Sequence, residues 1–521
     1  MAKALKNRAS KRPYTSSNQM ILSGFESPFS HHLLQSNRWI KLANRIPWDA
    51  LVNTYYRQLG NQYTGAGNIN PRVAIGALII KHLCNLSDRE TILQIQENMY
   101  MQYFIGYSSF SHEEPFDPSL FVDIRKRLSL EHINEINEKI LGLIKSEEEA
   151  NKQNNPSPNG NDQLDTDVEL PVKKDEPAGG QPGDNNEKQP DVKPNSGGLI
   201  MDATACPQDI AYPTDLNLLN DSREKSEELI DVLHAGLSIL KPRTYREIAR
   251  KKYLSTAQKK KKTKKEISNA IRQQLNYLKR NIKSIHQHLS HYGRIPLNSK
   301  QYKYLLVIQT LYDQQKHMYD NRVHSVEDRI VSIHQPHVRP IVRGKANAAV
   351  EFGAKIQVSL INGVAFLDEL SWDAFNEGTR LGQSVEKYKR RFGFYPAEVL
   401  ADKIYCTREN RRWLKHNEIK LRAKPLGRPS SKGALSIPVR PGERNPIEGK
   451  FGQAKTAYGM NRIKARLSAT SQSWIASIVL VLNLINLIGK ASFCLLLKIL
   501  VHIKNSGELL HINLKTCVAL T

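Results

Sequence analysis

The stretch Gly198-Leu199-Ile200-Met201-Asp202 has the form of a short apolar strand that ends in a carboxylate. A second run of the same form, Glu398-Val399-Leu400-Ala401 followed by Asp402, stands 200 residues further along the chain. In open α/β sheets, ligands bind beyond the carboxyl ends of the strands. If the two strands are neighbours in one sheet, Asp202 and Asp402 lie together at that edge.

The segments around these two runs complete an α/β pattern. Residues 354–367 have the alternating pattern of two strands that meet at Asn362-Gly363. An Asn-Gly pair is the strongest short signal for a β-hairpin. The other predicted elements are a strand at Arg329–His334, a helix carrying Leu381, Val385, Tyr388 and Phe392, a helix capped by Thr407, and a strand at 419–423. This order, with a helical segment removed, matches a ribonuclease-H-like mixed sheet, in which the first and fourth strands are adjacent. We therefore predict an α/β catalytic domain at 199–490.

The helical segment is inserted after the first strand, at about 220–325, and it is strongly basic. Between Lys241 and Lys300 there are 18 Lys and Arg residues and 2 Glu residues, a local charge of +16. This stretch includes Lys259, Lys260, Lys261 and Lys262. Such a charge predicts contact with DNA phosphates, although a solvated spacer has the same composition.

An all-α domain is predicted at 20–145, before the catalytic domain. Pro71 begins one helix, and Ser87 with Glu90 has the form of a capping box before the next. The pair is compatible equally with a helix-turn-helix and with an ordinary helical bundle. Residues 146–198 carry 12 acids and 5 lysines among Asn, Pro and Gly, which predicts a disordered acidic linker. Residues 491–521 are expected to be a C-terminal tail.

Overall composition points to a polyanionic partner. The 521 residues include 76 Lys and Arg against 51 Asp and Glu, a net charge of +25, and 40% are hydrophobic. The five cysteines are dispersed without a C-x-x-C pair, which fits a reducing cytoplasm. The N-terminal 14 residues lack the apolar stretch of a signal peptide. The apolar run at 474–488 favours a buried helix over a membrane span, which needs about 20 apolar residues.

The block from Arg444 to Lys455, Arg-Asn-Pro-Ile-Glu-Gly-Lys-Phe-Gly-Gln-Ala-Lys, opens another predicted helix. Pro446 stands in its first turn, as helix start signals require. Glu448 and Lys455 are seven residues apart and share one face, so they could hold a metal and a DNA phosphate together. Phe451, Ala454 and Tyr458 are predicted to pack on the other side, and Arg462, Lys464 and Arg466 add phosphate-binding charge downstream.

Three sequence blocks resemble bacterial insertion-sequence transposases of the DDE superfamily. They are Asp202-Ala203-Thr204 with Asp209–Asp215, then Leu400–Tyr405, then Asn445–Gly452. Residues 71–128 resemble the InsH-type N-terminal domain of that group. In related transposases an Arg and a Lys flank the glutamate at the spacings of Arg444 and Lys455, and the resemblance implies that these two residues contact DNA. The family's tyrosine, three residues before the Arg, is replaced by Pro441, so its role is not carried over.

The resemblance implies that Asp202, Asp402 and Glu448 are both the catalytic residues and the metal ligands. It implies two Mg²⁺ ions, for which Mn²⁺ would substitute, and double-stranded DNA as partner at transposon ends and target. A homodimer on DNA, a cytoplasmic, nucleoid-associated location and the absence of a membrane partner are also expected. The implied reaction is hydrolysis at each end, followed by attack of the freed 3′-hydroxyl on target DNA.

Three other interpretations remain open from the sequence. A related metal-dependent nuclease would cut DNA without rejoining it. A DNA-binding protein could retain an unused transposase-derived domain, although an intact acidic triad argues against decay. A nucleic-acid packaging protein would account for the charge but would leave the three acids unexplained.

Overall fold

The computed structural model describes residues 33–57, 69–154, 194–345, 348–424 and 442–505. Side chains are described except at 143–154, 343–349 and 489–505 within those ranges. The described part of the N-terminal region is helical. Its helices are α1 (Arg38–Arg45), α2 (Trp48–Tyr56), α3 (Pro71–Leu83), α4 (Asp88–Glu97), α5 (Met99–Phe104), α6 (Phe121–Arg127) and α7 (Leu130–Asn154).

Local sequence signals set the starts of α3 and α4. The Asn70 side chain caps α3 and Pro71 occupies its first position, where the missing N–H is not needed. The Ser87 hydroxyl accepts the N–H of Glu90 at 3.1 Å, as predicted. The Glu90 carboxylate instead accepts a hydrogen bond from Gln94. Since α3 is buried along most of its length, the pair packs as part of a helical bundle. Its use as a DNA-reading helix-turn-helix stays a prediction.

A mixed sheet follows in the chain. Its strands are β1 (Gly198–Pro207), β2 (Arg339–Lys345), β3 (Ala348–Ile361), β4 (Val364–Ser371), β5 (Glu398–Leu400) and β6 (Lys420–Arg422). They lie in the order β2-β3-β1-β5-β6, and β4 also pairs with β3. The pairs on the β3 side of β1 are antiparallel, whereas β1, β5 and β6 are parallel. The predicted α/β class is confirmed at this level.

The long strand β3 is shared by three neighbours. Gly353 pairs with Pro207 of β1 on one side and with Arg339 of β2 on the other, so β2 and β4 occupy the same edge in succession. A side chain at Gly353 is excluded, because a Cβ there would lie 2.1 Å from the Cys206 carbonyl oxygen. The predicted hairpin is confirmed: Asn362 and Gly363 have φ of 50° and 80°, as a type I′ turn requires.

The helical insertion between β1 and β2 has a hydrophobic core of its own. It consists of α8 (Asp215–His234), α9 (Arg246–Ala257), α10 (Lys264–Leu289) and α11 (Ser299–Asn321). The predicted strand at Arg329–His334 is wrong. Ile330 and Ile333 are buried in this helical core rather than in the sheet. Their burial reflects packing against helices, which a short apolar run by itself does not distinguish from a strand.

Beyond β4, the chain continues through α12 (Leu381–Phe392), α13 (Arg408–His416), α14 (Asn445–Thr456) and α15 (Ser468–Asn505). Thr407 caps α13, as predicted. The last helix packs between the N-terminal bundle and β4, and a single hydrophobic core includes all three. Asn483 of α15 both donates to the Ala365 carbonyl and accepts its N–H, each at 2.8 Å. These bonds satisfy the edge of β4, which would otherwise be open.

Residues Ser468–Ile488 of α15 form a helix long and apolar enough to cross a membrane. However, 78% of this apolar stretch is buried inside the protein. The buried-helix prediction for 474–488 is therefore confirmed. The predicted domain end at 490 differs from the structure, because the backbone of α15 continues to Asn505. The linker was predicted to begin at 146, but α7 continues to Asn154. The remainder of the predicted linker, at 155–193, lies outside the described residues.

Four side chains form the contact between the bundle and α15, and we call them the junction cluster: Lys81, Asp88, Arg125 and Trp474. Asp88 accepts from Lys81 at 2.9 Å and from both terminal nitrogens of Arg125 at 2.9 and 3.0 Å. The Lys81 ammonium lies 4.5 Å from the centre of the Trp474 ring. Lys81 and Arg125 are 1% and 4% exposed, so two cations are removed from water here beside a carboxylate that is 31% exposed.

Candidate active site

Asp202 lies in β1, and Asp402 follows the end of the adjacent parallel strand β5. The register pairs Ile200 of β1 with Leu400 of β5, and each aspartate follows its paired residue by two positions. Neighbouring strands are about 4.8 Å apart, so the two carboxylates are brought close by the backbone itself. The predicted adjacency of the strands is found in the structure.

The first strand is longer than the sequence suggested. It was expected to end at Asp202, yet β1 continues to Pro207 because β3 remains paired with it after β5 has diverged. Within β1, Leu199 and Met201 are fully buried and Asp202 points to the other face, as strand alternation requires. Asp202 therefore lies inside a strand, where its backbone is held by the ladder.

The glutamate block forms α14, whose first turn contains Pro446. Ile447 and Ala454 anchor this helix in the core and leave Glu448 exposed on the opposite side. Tyr458 is buried and Phe451 is half-buried against the core, as predicted, and Phe451 also lines an open cavity. The helix therefore presents Glu448 and Phe451 to the same space.

That space is a cavity of about 690 Å³ over the end of β5 and the middle of β1. It contains each of the three predicted acids and both predicted flanking cations. The side chains that matter for its chemistry are Asp202, Asp402, Glu448, Glu377, Arg444, Lys455 and Lys355. Residues separated by more than 240 positions in the sequence are thus assembled in one cavity.

Arg444 connects the two aspartates. Its Nη2 lies 2.9 Å from Oδ2 of Asp202, and its Nη1 lies 3.3 Å from Oδ1 of Asp402. The structure places the Arg444 guanidinium between these two carboxylates, and the contact of Arg444 with a DNA phosphate stays a prediction. Asp202 and Asp402 therefore already converge on one cation.

Glu377 and Lys355 were missed in the sequence. Glu377 begins a 3₁₀ turn after β4, and its carboxylate lies 2.9 Å from the Lys355 ammonium of β3. The turn is pressed against the segment that follows Asp402: a Cβ on Gly378 would lie 2.7 Å from the Ile404 carbonyl oxygen. No local sequence pattern predicts this packing. Only the tertiary structure therefore brings Glu377 to the site.

The surroundings of Asp202 shift the pKa of its carboxyl group in both directions. Burial raises the pKa of Asp202, and the charges of Glu377 and Asp402 raise it further. The Arg444 charge and the Ala203 N–H lower it. Burial is also the main cause that raises the pKa of Tyr405, whose hydroxyl donates to the Gln357 side chain at 2.8 Å. Asp202 is therefore stabilised as an anion chiefly by the cation beside it.

The donor set suits a hard divalent cation. Asp202, Asp402, Glu448 and Glu377 offer carboxylate oxygens, the ligands that Mg²⁺ prefers. Asp202 and Asp402 both pair with the guanidinium of Arg444, so a positive charge lies between these two carboxylates. Among the described residues, however, no three His, Cys, Asp or Glu side chains are grouped closely enough to hold one metal ion. The carboxylates fit the ion chemically.

The cations predicted downstream of α14 lie on the surface. Arg462 is paired with Asp209 at 2.8 Å, which brings the two neighbouring segments together. Arg466 lines a separate cavity of about 310 Å³ beside Asp209. Lys464 is exposed, and its charge contributes to lowering the pKa of Lys81 in the junction cluster.

The four consecutive lysines at 259–262 lie in the connection between α9 and α10, rather than within a helix. All four are exposed. Lys259 is paired with Glu266 at 2.6 Å, and Glu266 also closes the capping box with Thr263. Three of these lysines therefore project from the insertion without a described carboxylate partner.

Comparison with known proteins supports a mobile-element origin. Residues 399–485 match the family model of the transposase DDE domain, a range that includes Asp402 and Glu448 but not Asp202. Residues 28–127 match the model of a transposase domain, DUF772. An uncharacterized protein, ORF8 in the nfe locus of Rhizobium meliloti, is 33% identical over 100 residues, which are 19% of this chain and 46% of that protein. No solved structure matches the chain.

Two transposase models thus match in succession, one over the helical bundle and one over the strands and helices that carry Asp402 and Glu448. The order agrees with the InsH-type N-terminal domain and the DDE domain predicted from the sequence. These matches support an insertion-sequence transposase.

Proposed function

We propose that this protein cleaves DNA at transposon ends and transfers the freed strands into target DNA in a Mg²⁺-dependent reaction. One observation carries the proposal. Asp202, Asp402 and Glu448 line a single cavity together with Arg444 and Lys455, in a chain whose sequence matches the transposase DDE domain. The strand order β3-β1-β5-β6, antiparallel and then parallel, supports a ribonuclease-H-like fold for this domain.

Asp202, Asp402 and Glu448 would hold the metal. Two Mg²⁺ ions bound by these carboxylates would activate the attacking oxygen and stabilise the leaving oxygen in an in-line displacement. Mn²⁺ is expected to substitute, because it accepts the same oxygen ligands. The rigid placement of Asp202 within β1 keeps its carboxylate in position while substrate binds.

The reaction proposed has two balanced steps. Water adds to the phosphorus at the transposon end, the P–O bond to the 3′ oxygen breaks, and that oxygen leaves as a 3′-hydroxyl. The 3′-hydroxyl then attacks a target phosphodiester and loses its proton, while the target's own 3′ oxygen is released. Each step breaks one P–O bond and forms another, to the water oxygen in the first step and to the attacking 3′ oxygen in the second. Neither step needs an oxidant, and because the nucleophile is water or DNA, the enzyme forms no covalent intermediate.

The cations of the cavity would orient the substrate. Lys455 lies two helical turns from Glu448 on α14, where its charge can contact a phosphate next to the one being cut. Outside the cavity, Arg462, Lys464 and Arg466 and the lysines at 259–262 provide exposed charge for the duplex backbone. Phosphate contacts of this kind position a protein on DNA without reading its sequence.

Double-stranded DNA is the partner proposed, with a homodimer assembled on it, because two transposon ends must be processed together. The setting proposed is the bacterial cytoplasm, at the nucleoid. The net charge of +25 favours association with a polyanion of that kind.

The deciding experiment incubates the purified full-length protein with Mg²⁺ and a duplex carrying the sequences that flank its gene. Cleavage at the ends and joining to a second duplex are measured on denaturing gels. Asp202→Asn should abolish both while retaining DNA binding. Asp209→Asn is the matched control, because Asp209 contacts only the surface residue Arg462 among the described ion pairs. Cleavage without joining would indicate a nuclease, and binding without cleavage would indicate an unused domain.

A further inference from the structure

The guanidinium of Arg444 occupies the space between the two aspartates that would bind metal. It contacts Asp202 at 2.9 Å and Asp402 at 3.3 Å, and the Arg444 side chain is only 18% exposed. Its Nε is buried and has no hydrogen-bond acceptor in the described structure. The terminal nitrogens of Arg444 therefore pair with the two acids, while its Nε–H has no described acceptor.

A metal ion and this guanidinium would use the same carboxylate oxygens. An ion that binds Oδ2 of Asp202 and Oδ1 of Asp402 must displace Nη2 and Nη1 of Arg444. A guanidinium cannot be deprotonated in a protein, so it leaves by moving and not by losing its charge. In the DNA-free protein, metal binding therefore carries the cost of separating two ion pairs.

A DNA phosphate would offer Arg444 another partner. The guanidinium fork matches a phosphate with two parallel N–H···O bonds, and the same cavity is open to substrate. Lys455 and Lys355 line the cavity and would attract the phosphate to this position. Binding of DNA would thus draw Arg444 from the aspartates and expose their oxygens.

We propose that Arg444 is a coupling residue, which holds Asp202 and Asp402 in the DNA-free protein and releases them to metal when it engages a DNA phosphate. This inference rests on the proposed function, since it needs the same acids to bind metal. Because coupling between two ligands is reciprocal, DNA tightens metal binding and metal tightens DNA binding through Arg444 by the same factor. The metal site would therefore form mainly on DNA.

The test measures Mn²⁺ binding to the DNA-free full-length protein by the electron paramagnetic resonance signal of free Mn²⁺. Arg444→Gln should bind Mn²⁺ about tenfold more tightly than wild type, which corresponds to about 1.4 kcal/mol. Arg444→Lys should fall between them, because a single ammonium cannot bridge both aspartates. Arg422→Gln is the control, since Arg422 pairs with Glu398 and Glu443 outside the cavity, and it should bind Mn²⁺ as wild type does.

The same titrations are then repeated with the flanking-sequence duplex. DNA should tighten Mn²⁺ binding more in wild type than in Arg444→Gln, because part of the gain comes from removing Arg444. Equal Mn²⁺ affinity in wild type and Arg444→Gln without DNA, within twofold, would overturn the coupling role. Equal tightening by DNA in both would do the same. If Asp202→Asn binds Mn²⁺ as wild type does, the acids do not form a metal site and the proposed function fails as well.

Discussion

Raising the pH from 8 to 9.5 should stabilise this protein through Lys81 of the junction cluster. Burial lowers the pKa of Lys81 from 10.5 to about 8, although Asp88 opposes the shift. In the unfolded chain the amine keeps its proton up to about pH 10.4. Between these values the unfolded state binds more protons than the folded state, so the free energy of unfolding rises with pH. Below pH 8 both states are protonated and this gain is absent.

The size of the effect follows from the shift. One proton contributes about 1.4 kcal/mol per pH unit, so an interval of 1.5 units above the folded pKa adds about 2 kcal/mol at most. For domains of this size that corresponds to a rise in Tm of roughly 4–8 °C. The Cys84 thiol acts in the opposite direction, because burial raises its pKa and stability is lost as the unfolded thiol ionises.

The measurement is thermal unfolding by calorimetry at pH 8, 8.5, 9 and 9.5 for wild type and Lys81→Met. Methionine retains apolar contact with Trp474 but has no proton to release. The variant also leaves the Leu86 carbonyl, which accepts from Lys81 at 2.7 Å, without that donor. That loss of about 1–3 kcal/mol is the same at every pH. The reasoning is refuted if wild type and variant change in parallel over this interval, because the slope would then come from other groups.

Three further outcomes are expected. Asn483→Ala should lower the free energy of unfolding by roughly 2–6 kcal/mol, because the buried N–H and carbonyl of Ala365 each lose their partner; a urea-unfolding midpoint close to wild type would contradict this. Glu377→Gln should move the pH midpoint of Mn²⁺ binding downward, since the Glu377 charge raises the pKa of Asp202; an unchanged midpoint would exclude that influence. Replacing the lysines at 259–262 with Gln should flatten the plot of log affinity against log salt by about 0.9 for each phosphate they contact, and an unchanged slope in fluorescence-anisotropy titrations would identify them as a solvated spacer.

Local chemistry made several elements predictable. Asn362-Gly363 forms the hairpin because these residues accept positive φ, and Thr407 caps its helix because its hydroxyl accepts a free N–H. The apolar segment at 474–488 is buried as expected. In each case the residues that decide the structure are close neighbours in the chain.

Other elements were wrong or absent in the prediction. The segment Arg329–His334 was predicted as a strand, but its Ile330 and Ile333 pack in a helical core, while the strand at Arg339–Lys345 was not recognised. Periodicity records which residues are buried and not what they are buried against. The predicted start of the linker at residue 146 was also wrong. The helix α7 continues to Asn154, beyond the point where the composition changes.

The candidate site likewise has a part that the sequence predicted and a part that only the tertiary structure decided. The sequence identified Asp202, Asp402 and Glu448 as candidates, because strand-end acids and a helix start are local patterns and the resemblance to the DDE superfamily implies this triad. Their position in one cavity depends on the parallel register of Ile200 with Leu400. Glu377 enters the site only because its turn packs against the segment after Asp402.

The ion pairs of Arg444 were likewise decided by tertiary structure. Its spacing from Glu448 was visible in the sequence, and that spacing predicted a contact with DNA. Its two ion pairs were not visible, because they join residues up to 242 positions apart. A sequence specifies which groups can bind charge, but the charge that each one meets depends on distances that only the folded chain sets.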